Sequence, residues 1–228
     1  MLFWQDPQFG DKLITMMAAL VLVLQILMVA QRWLVTNIRA FGVQSFLLAC
    51  IGMIIAYFNH APHIYVVAGL TLVFKAILLP LVLERLVTKI EIRQEIEPFV
   101  NVPISVILSG LLTLLAYVVA ESFYRPEDAA VPARLGHNTL AVAIALFLIG
   151  FFMMVNRRKA LTQVLGLLCL ENGIFLAAIS LTYGMPLLVE LGILFDLVVA
   201  VMVLGILVYR IRETFDSMDV SKLSRLRG

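Results

Sequence analysis

Four ionisable side chains fall inside long apolar stretches of this chain: Lys75, Glu171, Glu190 and Asp196. Lys75 and Glu171 lie deepest, and Glu171 is followed by Asn172 near the middle of a run long enough to cross a bilayer. A carboxylate at that depth costs roughly 2.5 kcal/mol or more to insert, so ion or proton handling is the first expectation. One base against three acids leaves acids that must bind protons or find other partners. Glu190 and Asp196 are also spaced to point in different directions along one helix. A carboxyl set between apolar surroundings and an ammonium can load and release a proton near neutral pH, which is the chemistry of a relay. Asn172, Gln44, Gln163 and Thr182 can hold bridging water or act as ordinary interhelical hydrogen bonders. Pro80, five residues after Lys75, removes a helical N–H and is expected to free the carbonyl of Ala76. A structural ion pair and a tolerated membrane kink are the competing readings of these features.

The elements that must position these groups are membrane spans. Of 228 residues, 62% are hydrophobic and 14% charged, with mean hydropathy +1.03, well outside the range of soluble domains. Seven runs of about 20 apolar residues follow one another: Leu13 to Ala30, Phe41 to Phe58, Ile64 to Leu83, Val102 to Ala120, Leu140 to Val155, Leu161 to Leu181 and Leu187 to Tyr209. The expected fold is all-α, a polytopic membrane bundle of about seven helices.

Lys and Arg collect after the odd-numbered spans, at Arg32 and Arg39, Arg85 to Arg93, Arg157 to Lys159 and Arg210 to Arg227. The positive-inside rule therefore places the C-terminus in the cytoplasm and the N-terminus outside. The N-terminal MLFWQDPQFGDK lacks a basic signal-peptide n-region, so the first span is expected to be retained. Glu84 to Glu97 reads either as a short amphipathic interfacial helix or as a solvated linker. Pro98 and Pro103 mark the turn into the fourth span.

Sliding the chain by about 124 residues matches Gly42 to Gly166 and Pro62 to Pro186. The resulting division is a three-helix repeat with its basic segment (1–97), a spacer helix and outer loop (98–137), and a second three-helix repeat in parallel orientation with a cytoplasmic tail (138–228). Under that alignment Asp196 falls opposite Leu72, one turn from Lys75.

Several classes are disfavoured. The net charge of +2 is small and scattered, with no basic stripe interleaved with aromatics for nucleic acid. Cys50 and Cys169 lie in apolar runs without metal-ligand spacing, and His60, His63 and His137 fall in turns rather than at mid-helix haem positions. No glycine-rich phosphate loop occurs, so no redox cofactor is expected in this chain. A solute transporter would need more convergent polar groups, and no nucleophile–base pair indicates an enzyme.

The elements LLCLENG, LVELGILFD and DVSKLSRLRG, with VFKAILLPLV on the third span, resemble the hydrogenase-4 component E family over nearly the whole chain. The last three spans are similar to subunit K of respiratory complex I and to its counterpart in the Mrp-type multisubunit sodium/proton antiporters. In the complex I subunit two membrane glutamates on successive helices form part of a lateral proton path. Glu171 matches the first, and Asp196, with a shorter side chain, falls where the second is expected. The resemblance implies a non-catalytic subunit in the cell's inner membrane, seated among antiporter-like and anchoring membrane subunits. Nickel–iron and iron–sulfur centres would be held by a cytoplasmic hydrogenase arm. A scaffold whose charges only hold helices in register is the alternative.

Overall fold

The computed structural model describes residues 7–89, 98–122 and 139–181. All regular elements among them are helical: α1 (Pro7–Ala30), α2 (Leu34–Phe58), α3 (Pro62–Leu70), a π-helical segment (Thr71–Leu78), α4 (Leu79–Lys89), α5 (Val102–Ser122), α6 (Thr139–Val155) and α7 (Ala160–Leu181). Five apolar helices are long enough to cross a membrane, and α6 is shorter at 17 residues. This is a multi-pass helix bundle in which the first six expected spans are present. The seventh run, with Glu190 and Asp196, lies outside the described residues, as do Thr182, His137, residues 90–97 and the tail.

Helix ends follow local chemistry. Pro62 opens α3 and Pro103 sits in the first turn of α5, where a missing N–H is harmless. Between α2 and α3, His60 takes a positive φ of 50° and the Ala61 N–H donates to Ala56 O at 3.2 Å. This is a Schellman-type ending with histidine where glycine is usual.

From Pro62 to Lys89 the chain is one rod with a widened middle. The Leu79 N–H donates to the carbonyl of Phe74, five residues back. In this register the N–H that Pro80 lacks would face Lys75 rather than Ala76, which revises the α-helical expectation. Widening relieves the clash that a proline ring makes with the carbonyl four residues earlier. The widened segment lies close to α2 at Gly42, where a Cβ would stand 3.1 Å from Pro80 Cγ and 3.2 Å from the Ala76 carbonyl oxygen.

α6 and α7 pack backbone against backbone. A Cβ on Gly166 would lie 2.5 Å from Met154 N, and one on Gly173 would lie 2.6 Å from Phe147 N. Small residues allow this approach in a bilayer, where association depends on close packing. The two hairpins meet through α1 against α6 and α2 against α7. α5 covers α1 and α6 with a face of small residues, Ser105, Ser109, Ala116 and Ala120, and turns large apolar side chains outward.

Beside a small third cluster of Ala120, Leu140 and Ala141, two large apolar clusters form most of the core among the described residues. One contains Val21, Leu48, Ile51, Ile64, Val67, Leu146 and Phe175; the other contains Met28, Ile38, Phe41, Leu79, Ile149, Met153 and Leu168. Along α1, the rod and α6 the chain passes from the first cluster to the second, and along α2 and α7 it returns. The second cluster therefore lies toward the end where Arg39, Arg85 and Arg157 to Lys159 gather.

Candidate functional site

Polar side chains occupy the level between the two clusters. In chain order they are Gln25 on α1, Gln44 and Ser45 on α2, Thr71 and Lys75 on the π segment, and Glu171 and Asn172 on α7. All seven are buried. On each of these four elements they interrupt the apolar sequence at the point where one cluster ends and the other begins. The result is a polar stratum between two apolar clusters.

Its charged part is an ion pair. Lys75 Nζ lies 3.3 Å from Glu171 Oε2, with side-chain exposures of 4% and 1%. Charge-assisted hydrogen bonds usually measure about 2.7–2.9 Å, so this contact is loose and mainly coulombic. Burial reduces solvent screening, so the attraction between the two charges is stronger than it would be at the surface.

Its neutral part is a chain of amides. Asn172 Nδ2 donates to Gln44 Oε1 and to Ser45 Oγ, both at 3.1 Å. Gln44 Nε2 donates to Gln25 Oε1 at 2.7 Å and to the Val21 carbonyl at 3.3 Å. Gln25 Nε2 donates to Met153 Sδ at 3.2 Å. The chain links α7, α2, α1 and α6. Thr71 Oγ1 is satisfied locally by the Val67 carbonyl at 3.0 Å.

Four of the residues singled out from the sequence, Lys75, Glu171, Asn172 and Gln44, thus share one layer. Gln163 stands apart and donates to the Arg157 carbonyl at 2.9 Å. Glu190 and Asp196 lie outside the described residues. Sequence reasoning missed Gln25, Ser45 and Thr71. For Gln25 a signal existed, since it is the one polar side chain between Thr15 and Gln31.

At the basic end, Arg157 is 2% exposed and donates from one terminal nitrogen to the carbonyls of Met28 (3.3 Å) and Val29 (3.2 Å). Asn37 Nδ2 also donates to the Met28 carbonyl, at 3.1 Å. These carbonyls end α1, where a cation complements the helix dipole. Burial pushes the Arg157 guanidinium down to about 10, which leaves it cationic at neutral pH. Asn156 holds the extended lead into α5: its side chain accepts from Val100 N at 2.8 Å and donates to Ser105 Oγ at 3.1 Å. Arg158 lies over the Phe99 ring at 4.8 Å.

A multi-pass helix bundle with a buried charged pair between apolar clusters is the class of membrane protein that this fold and site define. Comparison with known proteins then gives the family. Residues 138–228 match the family described as NADH-ubiquinone/plastoquinone oxidoreductase chain 4L. The chain is 33% identical over 203 residues to the uncharacterized protein Rv0085 of Mycobacterium tuberculosis, covering 89% of this chain and 90% of that one. It is 26% identical over 219 residues to hydrogenase-4 component E of Escherichia coli K12, covering 96% of this chain and 99% of the relative. No solved structure matches. The chain belongs to one family with Rv0085, is a homologue of hydrogenase-4 component E, and in its C-terminal part matches the chain 4L family of complex I.

Proposed function

We propose that this chain is a non-catalytic membrane subunit of a complex I-related, energy-converting hydrogenase assembly, and that its polar stratum passes protons or other monovalent cations sideways between neighbouring subunits. The observation that carries the reading is the Lys75–Glu171 pair, a buried couple of opposite charges at the level between two apolar clusters. Within this chain the polar groups extend from helix to helix at one level. Asp196 and Glu190 would continue the path on the following span, with Asn172 and Gln44 supporting it.

Similarity to hydrogenase-4 component E and to chain 4L supports membership in a multisubunit membrane complex. Its partners would be antiporter-like and anchoring membrane subunits, with nickel–iron and iron–sulfur centres in a cytoplasmic arm. The gathering of Arg39, Arg85 and Arg157 at the end of the bundle where α1 and α6 finish supports a cytoplasmic basic face and an inner-membrane location.

The competing reading is a scaffold, favoured by the way the same ion pair ties the rod to α7. Glu171→Gln separates the two. An assembled complex that has lost ion translocation supports the relay, whereas a complex that no longer assembles supports the scaffold.

A further inference from the structure

The amide chain has a fixed direction, and that direction leaves one atom in need of a donor. The Val21 carbonyl can only accept, so the Gln44 amide must turn its nitrogen toward Val21 and Gln25 and its oxygen toward α7. Asn172 must then present Nδ2 to Gln44, and its second N–H goes to Ser45. Both Asn172 donors are used, and Met153, a thioether with no hydrogen to give, holds the far end in the same sense. Asn172 Oδ1 is thereby forced to face away from the chain as an acceptor. Asn172 is fully buried, and among the described residues nothing donates to that oxygen. A buried acceptor without a donor costs about 1–3 kcal/mol.

We propose that Asn172 Oδ1 binds a fixed internal water molecule, which joins the amide chain to the Lys75–Glu171 pair. Water fits because it donates to the oxygen and still offers a hydrogen and two lone pairs. A buried water requires two to four polar partners; Asn172 Oδ1 would be one, and the Glu171 carboxylate, next in sequence, and the Lys75 ammonium paired with it are the groups of the same stratum proposed as the others. A metal cation fits poorly. Gln44 Oε1 and Ser45 Oγ already accept from Asn172, and the Lys75 ammonium repels a second positive charge at this depth. Gln25 is the distal positioning residue: with its nitrogen turned to the Met153 sulfur, its oxygen gives Gln44 Nε2 a second acceptor beside the Val21 carbonyl.

The test is a cryo-EM map of the assembled complex, at a resolution that shows waters on other buried amides. The expected result is solvent density at hydrogen-bond distance, about 2.7–3.2 Å, from Asn172 Oδ1. Loss of that density in Asn172→Leu is the second expected result. An oxygen contacted by a side-chain donor from residues 182–228 or from another subunit, or one facing only carbon, overturns the proposal. The wild-type map decides even where the leucine variant does not assemble. The site is also separable from the relay: water at Asn172 together with unimpaired translocation in Glu171→Gln would remove the relay and leave the site standing.

Discussion

Lys75 and Glu171 come from distant parts of the sequence and meet 3.3 Å apart in a layer closed to solvent. The pairing sets opposite charges against each other where little solvent reaches either side chain. Removing one partner of a buried pair leaves an uncompensated charge and costs about 3–5 kcal/mol, whereas replacing both with apolar groups of similar volume is often tolerated.

Lys75→Met and Glu171→Leu are therefore each expected to lower the thermal stability of the purified complex strongly. The double variant should recover most of the loss. A double-mutant cycle in detergent checks this, and strictly additive losses would mean that the two residues do not act as a pair.

The amide chain predicts a graded pattern. Gln44→Leu removes the acceptor for Asn172 and the donor for Gln25 together, so it should destabilise by about 1–3 kcal/mol. Gln25→Leu should cost less, because its outer partner is only the Met153 sulfur. Melting temperatures of the two variants, measured side by side, give the order.

Close approach of α6 and α7 predicts intolerance at their glycines. Gly166→Val places carbon against the Met154 backbone and should cost about 1–3 kcal/mol or more as the helices separate. Gly69, which has open space around its Cβ position, serves as the control and should accept valine with little change. Yield of assembled complex from membranes measures both.

Arg157 ends α1, so Arg157→Ala should leave the Met28 and Val29 carbonyls without their charged donor and destabilise the basic end. Arg157→Lys should recover only part of the loss, because a point charge replaces a planar group that reaches two carbonyls at once. Hydrogen exchange in the last turn of α1 should rise more in the alanine variant.

Much of this was legible in sequence. Apolar length gave the first six spans, because a bilayer imposes the same helix on any sequence that crosses it, and the expense of a buried charge pointed to Lys75 and Glu171. Their mutual contact was not legible, since an alignment of the chain with itself compares equivalent positions of two repeats and says nothing of which helices touch, such as α2 and α7. Pro80 announced a disturbance, but whether it opens a gap or widens the turn depends on packing against Gly42. Arg157 read only as a topology marker, and its burial against the end of α1 depends on packing that the sequence does not display. Gln25 escaped notice because one amide in an apolar run acquires meaning only from its neighbours on α2 and α6.

The most direct measurement is the number of ions moved per electron pair by the complete complex in sealed vesicles, compared between wild type and Glu171→Gln. Charge transfer through the stratum predicts that the variant assembles, keeps its electron flow or slows it through lost coupling, and moves markedly fewer ions. An assembled Glu171→Gln complex with the wild-type ratio would contradict it.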